Sequence, residues 1–247
     1  MLTKDLIKTL NTWLEVHKFK DYCPNGLQVE GKNEVKTVIT AVSASNAAID
    51  FAIKQNADAL LVHHGYFWRG ESPEVVGIKK NRLKKLLENE INLIAYHLPL
   101  DAHLEFGNNR LLGEFLGFSN FRQSETEPLV WLGESQQPQE FEAFKTFLEQ
   151  NFNQQIAAVK AKNEMQKFAW CSGAAQDFLT LAKEEGADCF ITGEFSERTF
   201  YEAKELGINF FGYGHYLTET FGVQRLGLEL KNKLALEVMD FIEKNPF

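Results

Sequence analysis

The chain has 247 residues, 44% hydrophobic and 24% charged, with 17 Gly and 6 Pro; this suffices for one large or two small packed domains and excludes wholesale disorder. Its 34 Asp and Glu against 26 Lys and Arg leave a formal net charge of -8, so there is no basic footprint for long nucleic acid. Cys23, Cys171 and Cys189 lie far apart, without C-x-x-C spacing, which argues against a disulfide framework or thiolate zinc site and fits a reducing cytosol.

In Met1 to Lys20, Lys4, Asp5, Lys8 and Glu15 interrupt an apolar stripe of Leu2, Leu6, Leu10, Trp13 and Leu14. That spacing predicts an amphipathic helix from about Thr3 rather than a signal peptide. No 18-residue apolar run occurs elsewhere, so a soluble, untargeted, cytoplasmic chain is expected. Pro24-Asn25-Gly26 marks a turn. Val35 to Val42 and Ala57 to Val62 have the look of buried strands, and with the helical stretch Ala47 to Lys54 between them they form a βαβ unit. A helix over Lys79 to Glu90 leads into a further strand, Ile91 to Tyr96, and Gly107 to Asn109 opens a helix ending near Gly117. Such alternation implies a largely parallel sheet with covered faces. Ser119 to Lys167 is richer in Gln, Glu, Pro and Ser; a short strand at Leu129 to Leu132 precedes Pro138, and a helix runs from about Glu140 to Asn151. It reads as a connecting lobe. The 21 Phe residues are scattered through helices and read as core and interface.

Beyond that lobe the first pattern returns. At a constant offset of 130, Val38 to His64 lies over Phe168 to Glu194, and Ile91 to Tyr96 resembles Ile208 to Tyr213. The expected fold is α/β: two similar βα repeats with largely parallel or mixed sheets, their halves facing each other, in segments 1–123, 124–166 and 167–247. Chance similarity of two ordinary βα units is the alternative.

Polar residues cluster just past the strand ends, where open parallel sheets place ligands. His63-His64-Gly65 ends one strand; two adjacent histidines point to opposite sides unless the backbone turns, and Gly65 would permit that turn. His97 and Asp101 follow a second strand, and His215 and Glu219 a third. Each pair is four residues apart, the spacing that brings two side chains together on a helical turn. The lone reading of each is a solvated helix face; recurrence at matching points of a repeat favours one constellation. His17 and His103 fall outside it and are expected to be exposed. Three or four imidazoles with two carboxylates exceed the needs of one catalytic zinc and suit two ions. The donor types fit Fe, Mn, Zn or Ni without choosing among them.

Asn25-Gly26-Leu27-Gln28-Val29, His63-His64-Gly65, Tyr96-His97-Leu98-Pro99-Leu100-Asp101, Gly107-Asn108-Asn109, Thr192-Gly193-Glu194 and Gly214-His215-Tyr216-Leu217-Thr218-Glu219 together resemble the Nif-three-like proteins. These are also labelled GTP cyclohydrolase I type 2 homologues or dinuclear-metal-centre proteins, and the length is similar to the short bacterial branch. The resemblance implies a two-lobed α/β fold and two divalent metal ions held by His63, His64, Asp101, His215 and Glu219. It also implies a ring-shaped homohexamer. In such a centre Glu219, with the longer reach, is the expected bridge and Asp101 a terminal ligand; His63 and His64 serve different ions, and His215 completes the second. His97 lies outside this set and is expected at the rim, orienting a ligand or shuttling a proton. Glu194, at the repeat position of His64, either faces the same cleft as a catalytic residue or caps the helix after Phe195.

Two further segments carry paired readings. The loop Tyr66-Phe67-Trp68-Arg69-Gly70-Glu71 is either a lid that stacks on a substrate base or a subunit contact. Ser172-Gly173-Ala174-Ala175 is either a phosphate cradle or a tight turn. The function expected is metal-dependent hydrolysis of a small nucleotide-like or phosphorylated substrate, the ions polarising an oxygen and activating water. The alternative is a non-catalytic ring-forming binding or assembly protein with a structural or regulatory metal site.

Overall fold

The amphipathic opening segment folds as α1 (Thr3–Trp13), burying Leu6 and Leu10. It is followed by β1 (Gly26–Val29), β2 (Thr37–Ser43), α2 (Asn46–Lys54), β3 (Ala59–His64), α3 (Gly77–Glu88), β4 (Asn92–Ala95) and the short α4 (Leu98–Ala102). This computed structural model describes residues 1–152 and 156–245. The chain continues through α5 (Asn108–Phe115), β5 (Ser119–Gln123), β6 (Trp131–Glu140), α6 (Phe141–Phe152), β7 (Ala157–Val159), β8 (Glu164–Trp170) and α7 (Leu179–Glu184). It ends with β9 (Cys189–Thr192), α8 (Glu197–Leu206), β10 (Asn209–Gly212), α9 (His215–Thr218), α10 (Thr220–Leu234) and β11 (Glu237–Asp240). Among the described residues, no helix is long and apolar enough to cross a membrane.

Two compact units result. The first comprises Met1–Leu100 and Gly222–Lys244, the second Asp101–Phe221. In the first, the sheet order is β1-β4-β3-β2-β11, with β1 antiparallel to β4 and the other pairings parallel. Its core sets Ile39, Leu60, Val62 and Leu93 against Ala48, Ile49 and Ala52 of α2 and Leu86 of α3. In the second, the order is β5-β6-β8-β9-β10-β7. Here Phe168, Trp170, Ile191 and Phe211 pack with Phe118, Phe141 and Phe144, so much of the phenylalanine content is core.

The repeat holds residue by residue. The run β1-β4-β3-β2 matches β7-β10-β9-β8 in order and sense. The pair Val38↔Ala59 becomes Phe168↔Cys189, and Ala59↔Asn92 becomes Cys189↔Asn209. Each first crossover helix is followed by a left-handed residue, Asn56 at φ 52° and Gly186 at φ 85°, a common way to end a helix. The aspartates that open β3 and β9 do identical work. Asp58 accepts from the backbone N–H of Lys36 (2.9 Å) and Thr37 (3.0 Å) and from Lys32 Nζ (2.7 Å). Asp188 accepts from Gln166 N (3.2 Å), Lys167 N (3.1 Å) and Lys162 Nζ (3.0 Å), each partner shifted by the same 130 positions.

Burial alone would raise both carboxyls, but the lysine and backbone donors outweigh it and hold them below the ordinary value. A lowered folded-state pKa means stability that is present above the unfolded value of about 3.9 and lost as pH falls through the folded one. Asp58→Ala and Asp188→Ala are each expected to cost about 1.5–3 kcal/mol at neutral pH, as lost hydrogen bonds to a charged group. Their stability should also fall less steeply below about pH 4 than that of the native chain. Urea unfolding at pH 7 and pH 3 checks this; native midpoints in both variants would remove the role.

The sequence-based partition differs from these units in three places. Residues 101–123, expected in the first lobe, belong to the second unit, where β5 is an edge of the sheet. Segment 124–166 is no separate lobe: β6 and β7 belong to the second sheet, with α6 between them. The end of segment 167–247 returns to the first sheet, where β11 pairs with β2 and Glu237 Oε2 accepts from Thr37 Oγ1 (3.2 Å). Strand β6 also runs past the expected end at Leu132 and through Pro138 to Glu140. The pairing with β8 shifts register between Glu134 and Gln139, and such an irregularity tolerates a residue without an N–H. His17 is exposed, whereas His103 is half-buried. Its ring stacks on Phe106 at 4.4 Å, and Nδ1 accepts from the N–H groups of Glu105 (3.1 Å) and Phe106 (3.0 Å).

Candidate metal centre

In the first unit, three histidines gather at neighbouring strand ends. His63 is fully buried at the end of β3, and its Nδ1 lies 2.9 Å from the carbonyl oxygen of Tyr96. A carbonyl only accepts, so Nδ1 carries the proton and Nε2 the lone pair. His64 sets Nδ1 3.2 Å from Ser43 Oγ on β2. His97 donates from Nδ1 to Asp21 Oδ1 (2.7 Å). Ring centroids are 4.6 Å apart for His63 and His64, 5.1 Å for His63 and His97, and 5.8 Å for His64 and His97. One ring nitrogen of each lies within 4.8 Å of the others, so this group could hold a metal ion.

Gly65, expected to permit a turn of the backbone, works by close approach and is not among the glycines of positive φ. A Cβ there would stand 2.1 Å from Gln28 Oε1 and 2.7 Å from Ala95 Cβ. That same Gln28 oxygen accepts from Tyr66 N (2.7 Å), which is how the Asn25-Gly26-Leu27-Gln28 stretch braces the histidine strand. Asn25 Oδ1 accepts from His97 N (2.8 Å), and its amide donates to Asp21 Oδ2 (2.8 Å). Burial would raise the Asp21 carboxyl, but His97, Asn25 and the Tyr22 N–H prevail and bring it down to about 2. Asp21 is therefore a fixed anion orienting His97. Asp21, Cys23 and His97 form a second group with ligand atoms within 4.8 Å; burial, then Asp21, pushes the Cys23 thiol up to about 12.

In the second unit, Asp101 is buried on α4. Its Oδ1 accepts from Asn108 Nδ2 (2.9 Å) and Ser172 Oγ (3.0 Å). Asn109 Oδ1 in turn accepts from Ser172 N (2.7 Å). His215 opens α9, donating from Nδ1 to Glu194 Oε1 (2.6 Å), while Nε2 lies 3.2 Å from Glu219 Oε2. Burial opposes charge on this imidazole, yet Glu219 and then Glu194 overcome it and raise His215 to about 9. Glu219 is only 3% exposed.

The turn after β8 completes this group. Gly173 N donates to Thr218 Oγ1 (2.9 Å) and Ala175 N to Thr192 Oγ1 (3.3 Å). With these amides engaged, Ser172-Gly173-Ala174-Ala175 is a tight turn rather than a phosphate cradle. Gly173 adopts φ +69°, and a Cβ there would stand 2.4 Å from Glu219 Oε1 and 3.3 Å from His215 Nε2. Glu194 does not cap α8; Ser196 occupies that place, its N–H donating to Thr199 Oγ1 (3.0 Å). Asp21 and Ser43 received no role from the sequence; Asn108 and Ser172 lay inside segments it noted, but their bonds to Asp101 were not foreseen.

The residues fit a metal. Three of the four histidines, His63, His97 and His215, direct Nδ1–H to an oxygen that accepts, which fixes ring orientation and leaves Nε2 as the ligating atom, the arrangement metal-binding histidines use. Imidazole with carboxylate suits borderline divalent ions, and a cradle without Cβ surrounds the carboxylate and imidazole of the second unit.

Fold and side chains define the class: a duplicated two-sheet α/β protein with histidine and carboxylate groups that could hold metal ions. The chain belongs to the Duf34/NIF3 (NGG1p interacting factor 3) family, which it matches over residues 1–246. It is 42% identical over 247 residues to a protein of Neisseria meningitidis serogroup A named GTP cyclohydrolase 1 type 2 homolog, covering 100% of this chain and 99% of the relative. A solved structure described as protein ybgI, of unknown function, superposes with a TM-score of 0.97 at 42% identity, covering both chains fully (100% each). The crystal structure of TTHA1606 from Thermus thermophilus gives 0.91 at 34% identity, again over 100% of both chains.

Proposed function

We propose that this protein is a metal-dependent hydrolase of a small nucleotide-like or phosphorylated molecule. It holds two divalent ions, Fe, Zn, Mn or Ni, through His63, His64, Asp101, His215 and Glu219. The observation that carries this reading is the orientation of the imidazoles: His63 and His215 anchor Nδ1 on an accepting oxygen and so leave Nε2 for an ion, which at His215 must displace the proton held toward Glu219. When bound, such ions supply Lewis acidity, polarising a phosphoryl or carbonyl oxygen and making water more acidic. The chain's own residues do the rest. Asn108 and Ser172 hold Asp101 in one orientation, and Glu194 positions His215. His97, fixed by Asp21, stands beside His63 and His64 to orient a ligand. The homohexameric ring that the resemblance implies, and the cytoplasmic location expected from the cysteines and the apolar pattern, belong to the same proposal.

Glu219→Gln tests it, assayed metal-loaded beside the native chain on nucleoside triphosphates and phosphomonoesters, with light scattering in parallel. The expected result is turnover abolished by a chelator, restored by a divalent ion, and reduced about 100-fold in the variant at unchanged assembly mass. Turnover indifferent to chelation contradicts the proposal. A variant that dissociates, or no metal-dependent turnover across the panel, favours the non-catalytic assembly protein.

A further inference from the structure

We propose that Trp68 and Tyr22 form a stacking subsite, beside the histidines of the first unit, for the planar base of a nucleotide. This deepens the functional reading above and rests on it only for what happens to the ligand after it binds.

Two aromatic rings approach the same imidazole. The Trp68 indole lies 4.9 Å from His97 at 89° and 5.9 Å from His64. Tyr22 lies 6.4 Å from His97 at 64°. A perpendicular neighbour covers at most one face of the indole. Trp68 is only half-buried and Tyr22 is 58% exposed, so these rings are not core filler. Stacking on open aromatic faces is the general way proteins hold bases, because every base presents a π-face.

The loop is also braced as a binding element would be. Tyr66 donates from its hydroxyl to the Ala44 carbonyl (2.7 Å), Trp68 N donates to Glu71 Oε2 (3.2 Å), and Arg69 N donates to the Tyr22 carbonyl (2.7 Å). The last bond ties the two stacking residues into one register. Next to Trp68 in the chain, Phe67 adopts φ +66°, a left-handed conformation unfavourable for a bulky L-residue and held only where the surroundings over-determine it. The same segment carries a cation: the Arg69 guanidinium stands 5.6 Å from the Tyr22 ring centre and donates to the Asp21 carbonyl (2.9 Å). A ring on the aromatic faces with an anionic group toward Arg69 describes a nucleotide.

The test uses the full-length protein as purified, with and without chelator, titrated with adenosine 5′-monophosphate and, as a ring-free control, ribose 5-phosphate. Binding is read by calorimetry and by tryptophan fluorescence. The nucleotide should bind the native chain, about 5- to 150-fold more weakly Trp68→Leu, and to an intermediate degree Trp68→Phe, while ribose 5-phosphate binds all three equally poorly. Zinc uptake by Trp68→Leu should equal that of the native chain. Equal nucleotide affinity in native and Trp68→Leu, ribose 5-phosphate binding as well as the nucleotide, or no nucleotide binding would overturn the subsite. Loss of nucleotide binding with zinc uptake intact leaves the metal reading standing. Nucleotide binding without zinc uptake leaves the subsite and removes the metals.

Discussion

Trp170→Ala should lower the stability of the chain by about 3–5 kcal/mol, the range for deleting a fully buried large aromatic. Trp170 is wholly enclosed, 5.2 Å from Phe118 and 5.7 Å from Phe121 between ring centres. Gly113 packs so closely that a Cβ there would stand 2.4 Å from the indole. The residue also reaches the second unit's donor group: its Nε1 donates to Asn109 O (2.7 Å), and Asn109 Oδ1 holds Ser172 N. Trp170→Phe keeps most of the ring volume but removes the indole's hydrogen bond to that buried carbonyl, for an expected loss of about 1–3 kcal/mol. Urea unfolding ranks the three proteins; a Trp170→Ala chain within about 1 kcal/mol of native would contradict this assignment of the core.

Gly173→Ala should strike metal uptake harder than stability. The methyl would meet Glu219 Oε1 at 2.4 Å while the backbone is held at φ +69°. The conformational strain is worth about 1–2 kcal/mol. Displacing a carboxylate from its place beside an imidazole is comparable to losing a supporting partner of a ligand, about 10- to 100-fold in metal affinity. Gly186→Ala is the matched control, since Gly186 also has positive φ (+85°) but nothing lies within 4 Å of the added Cβ. Competition against a chelator should separate the two variants, with Gly186→Ala binding as the native chain does. Equal affinity in Gly173→Ala would mean that the position of Glu219 does not matter to the ion.

Much of this was readable without coordinates, for definite reasons. Continuous apolar runs such as Leu60-Leu61-Val62 announce a strand buried on both faces. Asp58 and Asp188 mark the same point of two repeats because each closes the same set of backbone donors. The His-x-x-x-Glu spacing does bring its pair together at α9, with His215 Nε2 3.2 Å from Glu219 Oε2, whereas His97 precedes α4 and turns to Asp21 while Asp101 turns to Asn108 and Ser172. What escaped was short or non-local. Strands β1 and β7, with four and three residues, are edge strands set by a neighbour's free backbone rather than by their own pattern. Strand β11 is recruited by β2 from the far end of the chain. Asp21 meets His97 across 76 residues and Ser172 meets Asp101 across 71; a single polar residue in a loop has no periodicity to betray a partner so distant.

Elemental analysis of protein purified without chelator, native beside His64→Ala/Asp101→Ala, weighs the account most directly. About two divalent ions per chain are expected in the native protein, falling to one or none in the double variant. A native chain that carries no ion, or a double variant that retains the full complement, would contradict it.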